Sequence, residues 1–438
     1  MRSNKNDLVL RGLALTAAIL SLALAAGCGG SSSSNKNTGG GTNNQVIAGP
    51  GPNVVTLVAD GGPPSLQQLP QPFNYLNGSF ISATVCLPGT TTCQTIDHLL
   101  VDTGSYGLRL LDSSSGGVFS RAQVPLTLET DSSKNTIGEC VQFVDGSFFW
   151  GPVAKADVKI SSEVASSVPV HIVGDTTFSN TNMVPLDCSS NHTGTDADTL
   201  ANLGTNGIIG IGGLQYDCGT ACAPGQAPIP APAYYSCPST GCVNADVPLT
   251  SQVQNPVALF ATDNNGVIVE LPPPGSSGAV TLPGGALVFG IGTQSNNSLG
   301  SASVLTLDGN LNLTTSYKSA SYPGSFIDSG SNAYFFLDNN TTGFPACSAT
   351  GSAFYCPSST QNLTATIQGQ NGTSTSVSFS VANFDSLANS SNVLFNNVGG
   401  PAGNPIFDWG LPFFMGRNVF VSIAGKTAPG GTTPYVAY

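Results

Sequence analysis

Short apolar and β-branched stretches, separated by Gly, Pro, Asn and Ser, run through most of the chain. Phe80-Ile81-Ser82-Ala83-Thr84-Val85 is one, residues 153–160 are another, and Val419-Phe420-Val421-Ser422-Ile423 is a third. Stretches of this kind bounded by turn formers read as β-strands. Outside the N-terminal segment, no long stretch repeats its apolar residues at the helical period. The pattern predicts an all-β protein built from many short strands.

Composition sharpens that picture. Only 8% of the 438 residues are charged, against about a quarter in an ordinary soluble domain. With 40% hydrophobic residues, 53 Gly and 30 Pro, the chain is too apolar to be disordered and too rich in turn formers to be helical. The length allows one large domain or two lobes, each with a core of its own. The net charge of −12 and only 12 basic residues exclude a nucleic-acid surface. Three histidines (His98, His171, His192) leave little material for a His-based metal site or for Ser-His catalysis. Neither G-x-S-x-G nor H-E-x-x-H occurs.

The N-terminus reads as a targeting segment. Arg2, Lys5 and Arg11 precede an apolar run that ends Leu24-Ala25-Ala26-Gly27-Cys28. A basic start, a short apolar stretch and small residues before a cut site describe a secretory signal over residues 1–27. Small residues directly before a Cys resemble the bacterial lipobox, which implies lipidation of Cys28. Residues 28–50 then hold a flexible Gly/Ser/Asn tether. The expectation is an exported protein, lipid-anchored in the bacterial cell envelope on the outer membrane or periplasmic face, touching the membrane through that lipid only.

Cysteine usage agrees with export. Setting Cys28 aside, the 11 cysteines leave an even number. Four pairs are close in sequence: Cys86 and Cys93, Cys218 and Cys222, Cys237 and Cys242, Cys347 and Cys356. Cys140 and Cys188 remain. All ten are disulfide candidates, and spacing alone does not give their connectivity. A metal site is not expected, because no C-x-x-C pair occurs and the histidines are scattered.

The most informative feature is a pattern that occurs twice. Leu99-Leu100-Val101-Asp102-Thr103-Gly104-Ser105 lies in the first half and Ser325-Phe326-Ile327-Asp328-Ser329-Gly330-Ser331 in the second. A carboxylate at the end of a buried strand is costly unless it is hydrogen-bonded. A Gly two residues later lets the backbone turn sharply and brings N–H groups close to it. Neighbouring hydroxyls supply further donors. Two such loops in one chain suggest two half-sites that meet.

These loops resemble those of the pepsin-like aspartic proteases, in which two β lobes each give one Asp-Thr/Ser-Gly loop to a shared cleft. Companion segments follow in the family's order over roughly residues 70 to 423. Gln142-Phe143-Val144-Asp145-Gly146-Ser147 and the strand after it resemble the flap hairpin. Asn206-Gly207-Ile208-Ile209-Gly210-Ile211-Gly212 resembles the element closing the first lobe's active-site fold, and residues 409–420 the matching element of the second. Residues 256–260 and 285–292 resemble the crossing between lobes. The chain looks most like a family of exported bacterial lipoproteins with a pepsin-like core. The resemblance implies a bilobal all-β fold, with one lobe over residues 51–256 and the other over 257–438.

It also implies roles. Asp102 and Asp328 would be the catalytic pair, sharing one proton because two adjacent carboxylates cannot both stay ionised; the handful of well-studied aspartic proteases are the standard illustration of this split. Thr103 and Ser329 would lock the loops together. Ser105 and Ser331 would donate to the outer carboxylate oxygens, with Gly104 and Gly330 making the turns. Gln142, Phe143, Asp145, Gly146 and Arg109 would line the flap and substrate cleft. Phe143 stands where the family has a flap Tyr, and Arg109 where a supporting Trp is common. Arg109 reads either as an ion-paired residue or as a charge that selects an acidic substrate group or tunes Asp102. Trp150 and Trp409 read as core, Asp145 as a turn residue, and His98 as a packed strand histidine. Arg417 is open as a buried carboxylate partner.

The resulting expectation is an aspartic endopeptidase needing no cofactor or metal, acting as a monomer on a peptide or protein substrate, with an acidic pH optimum. The alternative is a catalytically inactive surface protein that binds a peptide or glycan in the same cleft. A glycosidase is a third reading, and it requires carboxyls further apart.

Overall fold

A computed structural model of the chain describes residues 45–143, 145–191, 193–225, 233–348 and 353–438. The targeting segment, Cys28 and most of the tether lie outside the described residues, as does His192. Among the described residues there are 24 strands, and the α-helices are single turns of 4 residues. No helix there is long and apolar enough to cross a membrane.

In the first half, six strands close into a ring. Gly78–Cys86 pairs with Cys93–Asp102, which pairs in parallel with Gly207–Ile211. That strand pairs with Tyr106–Leu111, which runs parallel to Glu163–Val173. Ser147–Ile160 bridges Glu163–Val173 back to Gly78–Cys86. Closure leaves no open edge and shields both faces of the central strands. That is why Gly207–Ile211 and much of Ser147–Ile160 are uniformly apolar instead of alternating.

The second half contributes a separate seven-stranded sheet. Its order is Ser374–Val381, Gln361–Gln368, Leu313–Tyr317, Ala320–Ile327, Phe407–Trp409, Tyr334–Phe336, Gly399–Gly400. One face packs around Trp409, which is 1% exposed, with Phe407 stacked on it at 5.4 Å and Tyr334 edge-on at 5.7 Å. The outer strands Gln361–Gln368 and Ser374–Val381 alternate buried and exposed positions, as strands with one wet face do.

A third group of strands joins the halves. Val54–Asp60 pairs with Leu282–Phe289 of the second half and with Gly78–Cys86 of the barrel. Gly266–Leu271 and Arg417–Ser422 extend that platform. The N-terminal strand therefore bridges the barrel and the second-half strands within one 17-stranded sheet.

All ten cysteines beyond the tether are paired: Cys86–Cys93, Cys140–Cys188, Cys218–Cys222, Cys237–Cys242 and Cys347–Cys356. Five disulfides place the folded chain in an oxidising, extracytoplasmic compartment.

Candidate active site

Each Asp loop is made by the same local construction. Cys93–Asp102 ends at Asp102, and the chain leaves along Tyr106–Leu111. Gly207–Ile211 threads between the two, parallel to the first and antiparallel to the second. In the second half Ala320–Ile327 leads into Asp328, the chain leaves along Tyr334–Phe336, and Phe407–Trp409 threads between them in the same senses. The turn after each Asp is closed by its own carboxylate: Gly104 N–H and Gly330 N–H each donate to the Oδ1 of the Asp two residues earlier, both at 2.8 Å.

The loops are cross-bolted. Thr103 N–H donates to Ser329 Oγ at 3.1 Å, and Ser329 N–H donates to Thr103 Oγ1 at 2.9 Å. Ser329 Oγ donates in turn to the Val101 carbonyl at 2.7 Å. This brings the Asp102 and Asp328 loops together at the carboxyls, close enough for the charge of Asp102 to act on Asp328. Gly330 is required by that approach, since a Cβ there would lie 2.8 Å from the Asp102 carboxyl carbon.

Both carboxyls are fully buried. Burial raises the Asp102 pKa, opposed by hydrogen bonds from Ser105, Asp328 and Gly104 and then by the charge of Arg109. Asp328 is raised well above the ordinary carboxylate range, first by burial, then by the charges of Asp102 and Asp408, with Gly330 N–H opposing. Both directions favour keeping a proton on the pair, and the larger upward push falls on Asp328, which faces the charges of both Asp102 and Asp408.

The hairpin formed by Thr136–Gln142 and Ser147–Ile160 carries the flap residues. Phe143 is buried and edge-on to Phe149 at 4.8 Å. Asp145 and Gly146 are exposed at the tip, where Asp145 Oδ1 accepts from Ser147 N–H at 2.9 Å, so Asp145 is a turn residue. Gln142 does not project into the site. Its Nε2 donates to the Asp187 and Cys188 carbonyls, both at 2.8 Å, beside the Cys140–Cys188 bridge. With Thr195 N–H donating to the Gly146 carbonyl, the hairpin is fastened along one side.

Arg109 does not line the cleft. It is 1% exposed and its Nη2 lies 2.8 Å from Glu139 Oε1 and 3.3 Å from Asp217 Oδ2. Tyr234 donates to the other Asp217 oxygen at 2.6 Å. Glu139 is raised well above its usual range, by burial first, with Arg109 opposing and Asp217 reinforcing. Burial and then Arg109 hold His171, beside Glu139, well below its ordinary value and so neutral. A pairing role won here because Arg109 and its register partner His171 alternate with the barrel-core residues Leu108, Leu110, Val170 and Ile172, so both face away from that core toward Glu139.

His98 lies in the strand Cys93–Asp102 with its ring packed on Phe80 at 5.3 Å, as a strand histidine, and it is ion-paired as well. It sits at a bulge with φ 48°, and its ring nitrogens reach Asp97 at 2.9 Å and Asp60 at 3.5 Å. Trp150 and Trp409 are core, with indole N–H groups satisfied by the Asn182 carbonyl and Thr315 Oγ1. Arg417 donates to the Phe413 carbonyl and lies over the Phe413 ring at 4.6 Å, so its contact is a carbonyl and a π-face.

Two residues near the pair escaped the sequence reading. Tyr75 is buried in the same apolar cluster as Phe143, Leu66 and Leu203. Burial, then the charges of Asp102, Asp328 and Asp145, push its phenol up. Nearby, Asn77 Nδ2 donates to the Asn332 and Phe395 carbonyls and fastens this segment to the second half. No motif marks Tyr75, because it sits in the irregular connection between the strands Val54–Asp60 and Gly78–Cys86. The second residue, Asp408, does have a signal: aligning Ile208-Ile209-Gly210 with Asp408-Trp409-Gly410 exposes it as an acid at an apolar position.

The sequence profile of a family described as "Protein of unknown function (DUF3443)" matches residues 51–438, and the chain belongs to that family. No curated protein matches the chain. Among solved structures, an aspartic proteinase from Irpex lacteus is similar over 88% of this chain and 96% of its own, at 15% identity and a TM-score of 0.47. At that level the likeness adds no weight to a reading that stands on the two loops themselves.

Proposed function

We propose that this member of the DUF3443 family is an aspartic endopeptidase. The observation that carries the reading is the meeting of two Asp loops of the same construction, bolted to each other by Thr103 and Ser329.

In this mechanism a water sits between the carboxyls. Ionised Asp102 takes a proton from the water as its oxygen attacks the scissile carbonyl carbon. Protonated Asp328 gives its proton to the carbonyl oxygen, producing a neutral tetrahedral diol. Collapse of the diol breaks the C–N bond, the amine leaves with the proton held by Asp102, and a hydroxyl proton returns to Asp328. The step needs one carboxyl charged and one neutral. Activity is lost in strong acid as Asp102 is protonated, and lost toward alkali as Asp328 ionises.

The substrate is a peptide or protein chain, the enzyme acts as a monomer, and lipidation of Cys28 holds it on the cell envelope. The test is digestion of a mixed peptide library across acid to neutral pH, with products read by mass spectrometry. Cleavage with an acidic optimum that a statine-type inhibitor blocks is expected. Cleavage that keeps rising through neutrality, or that ignores the inhibitor, counts against the pair. A second reading, a non-catalytic peptide-binding protein, is favoured by the full burial of both carboxyls under a fastened flap. It predicts tight capture of library peptides with no cleavage.

A further inference from the structure

The two halves repeat each other closely, so a departure from the repeat carries information. In the first half the threading strand lays Ile208 beside Leu100 and Ile209 beside Val101, the residue before Asp102. In the second half it lays Asp408 beside Phe326 and Trp409 beside Ile327, the residue before Asp328. Asp408 is therefore the counterpart of Ile208. A carboxyl that is 7% exposed stands where the repeat has a buried aliphatic side chain.

Ser331 links it to the site. Ser331 Oγ lies 2.6 Å from Asp408 Oδ2 and 3.1 Å from Asp328 Oδ2. A serine hydroxyl has one proton to donate. The shorter contact takes it, so Asp328 Oδ2 meets the lone pairs of the Ser331 oxygen. An Asp328 that is itself protonated satisfies that contact by donating to Ser331 Oγ; an ionised Asp328 leaves two oxygen acceptors facing each other. The first half differs. There the matching Ser105 donates straight to Asp102 Oδ2, which favours the anion.

The geometry points to Asp408 as a positioning residue: it draws the Ser331 proton to itself and so keeps the proton shared by the carboxyl pair on Asp328. Its consequence for rate rests on the peptidase reading; the proton placement rests on the hydrogen-bond geometry alone. The two strands flanking Phe407–Trp409 present Asp328 at the end of one and Tyr334 on the other, with Asp102 behind Asp328. Tyr334 is pushed up to about 12 by burial, with Arg417 opposing, so it stays neutral over the relevant range.

The test is an NMR titration of the full chain with isotopically labelled aspartate, from strongly acid to mildly alkaline pH, using Asp328→Asn to identify the signals of the pair. Asp408→Asn, which keeps the shape and loses the charge, is expected to lower the upper apparent pKa of the pair by about one unit. Asp408→Glu is expected to restore it. Ser331→Ala is expected to lower it too, because the neutral Asp328 loses its acceptor. If Ser331 instead donated to Asp328, the same substitution would raise it, and that result overturns the proposal even where Asp408→Asn fails to fold. An upper pKa unmoved in a folded Asp408→Asn protein also overturns it. The alkaline limb of kcat/KM should move down in pH with the titration. A wild-type protein that cleaves nothing sinks the peptidase reading, while the titration still decides the role of Asp408.

Discussion

Arg109→Met removes the guanidinium from a pocket that holds two acids, Glu139 and Asp217. Arg109, Glu139 and Asp217 are 1%, 0% and 7% exposed, so water cannot replace the lost charge. In the wild-type pocket Arg109 lies 2.8 Å from Glu139 and 3.3 Å from Asp217 and offsets the charge of these two acids. Taking one partner from a buried pair costs about 3–5 kcal/mol, a large part of a total stability of about 5–15 kcal/mol. The loss also has a pH signature. Without Arg109 the burial that raises Glu139 is less opposed, so Glu139 holds its proton more tightly in the folded state than in the unfolded one. The folded variant then gains from protonation as the pH falls, and the deficit shrinks toward the ordinary carboxyl range near about pH 4. Urea unfolding with disulfides intact, followed by circular dichroism near neutrality and in mild acid, measures both effects. Adding Glu139→Gln to Arg109→Met should recover part of the loss, because a neutral amide needs no counter-charge. A deficit under about 1 kcal/mol near neutrality, or one that is equal at both pH values, would refute the reasoning.

Three further outcomes are expected. Ser329→Ala removes an oxygen that accepts from Thr103 N–H and donates to the Val101 carbonyl; it should cost about 2–4 kcal/mol in urea unfolding, while Ser329→Thr stays near wild type. Burial raises Glu270 to about 7, with Ala48 N–H opposing. Its folded pKa is therefore above its unfolded one, so the folded state holds a proton that the unfolded state releases, and stability falls as pH rises from about 4.5 to about 7. Thermal unfolding should show a lower Tm near neutrality than in mild acid, and Glu270→Gln should flatten part of that slope; an unchanged slope refutes the assignment. Cys140→Ala with Cys188→Ala opens a loop spanning 48 residues, costing up to about 4 kcal/mol on chain-entropy grounds, and should speed hydrogen exchange at the flap tip. Unchanged exchange there would mean the hydrogen bonds of Gln142 suffice to hold it.

The site was legible in the sequence where its construction is local. Asp102 and Asp328 stand out because the same strand–Asp–hydroxyl–Gly–Ser run occurs twice, and each run satisfies its own carboxylate. The threading strand Gly207–Ile211 was legible too, since a strand buried on both faces must be continuously apolar. What pairing does across the fold was not. Arg109 reads the same from sequence whether it faces a substrate or a buried acid; only the register that sets Glu139 and Asp217 beside it decides. His98 was legible as a packed strand residue, but its partners Asp60 and Asp97 were not, because the bulge that sets them beside it leaves no mark on a period-two pattern. Cys140 and Cys188 were the pair left after the short spacings, yet their consequence, a flap fastened on one side, appears only when the Asp187 and Cys188 carbonyls are seen to take Gln142. Tyr75 arrives over the carboxyls from a connection with no motif at all.

The central claim is that Asp102 and Asp328 act as one unit with a single shared proton. The most direct measurement compares cleavage of one identified library peptide at its optimal pH by the wild-type protein, Asp102→Asn and Asp328→Asn, each checked for folding by circular dichroism. Each substitution alone should abolish turnover, lowering kcat/KM by at least about a thousandfold, with peptide binding retained. Turnover that survives either substitution would place the chemistry elsewhere and contradict the account.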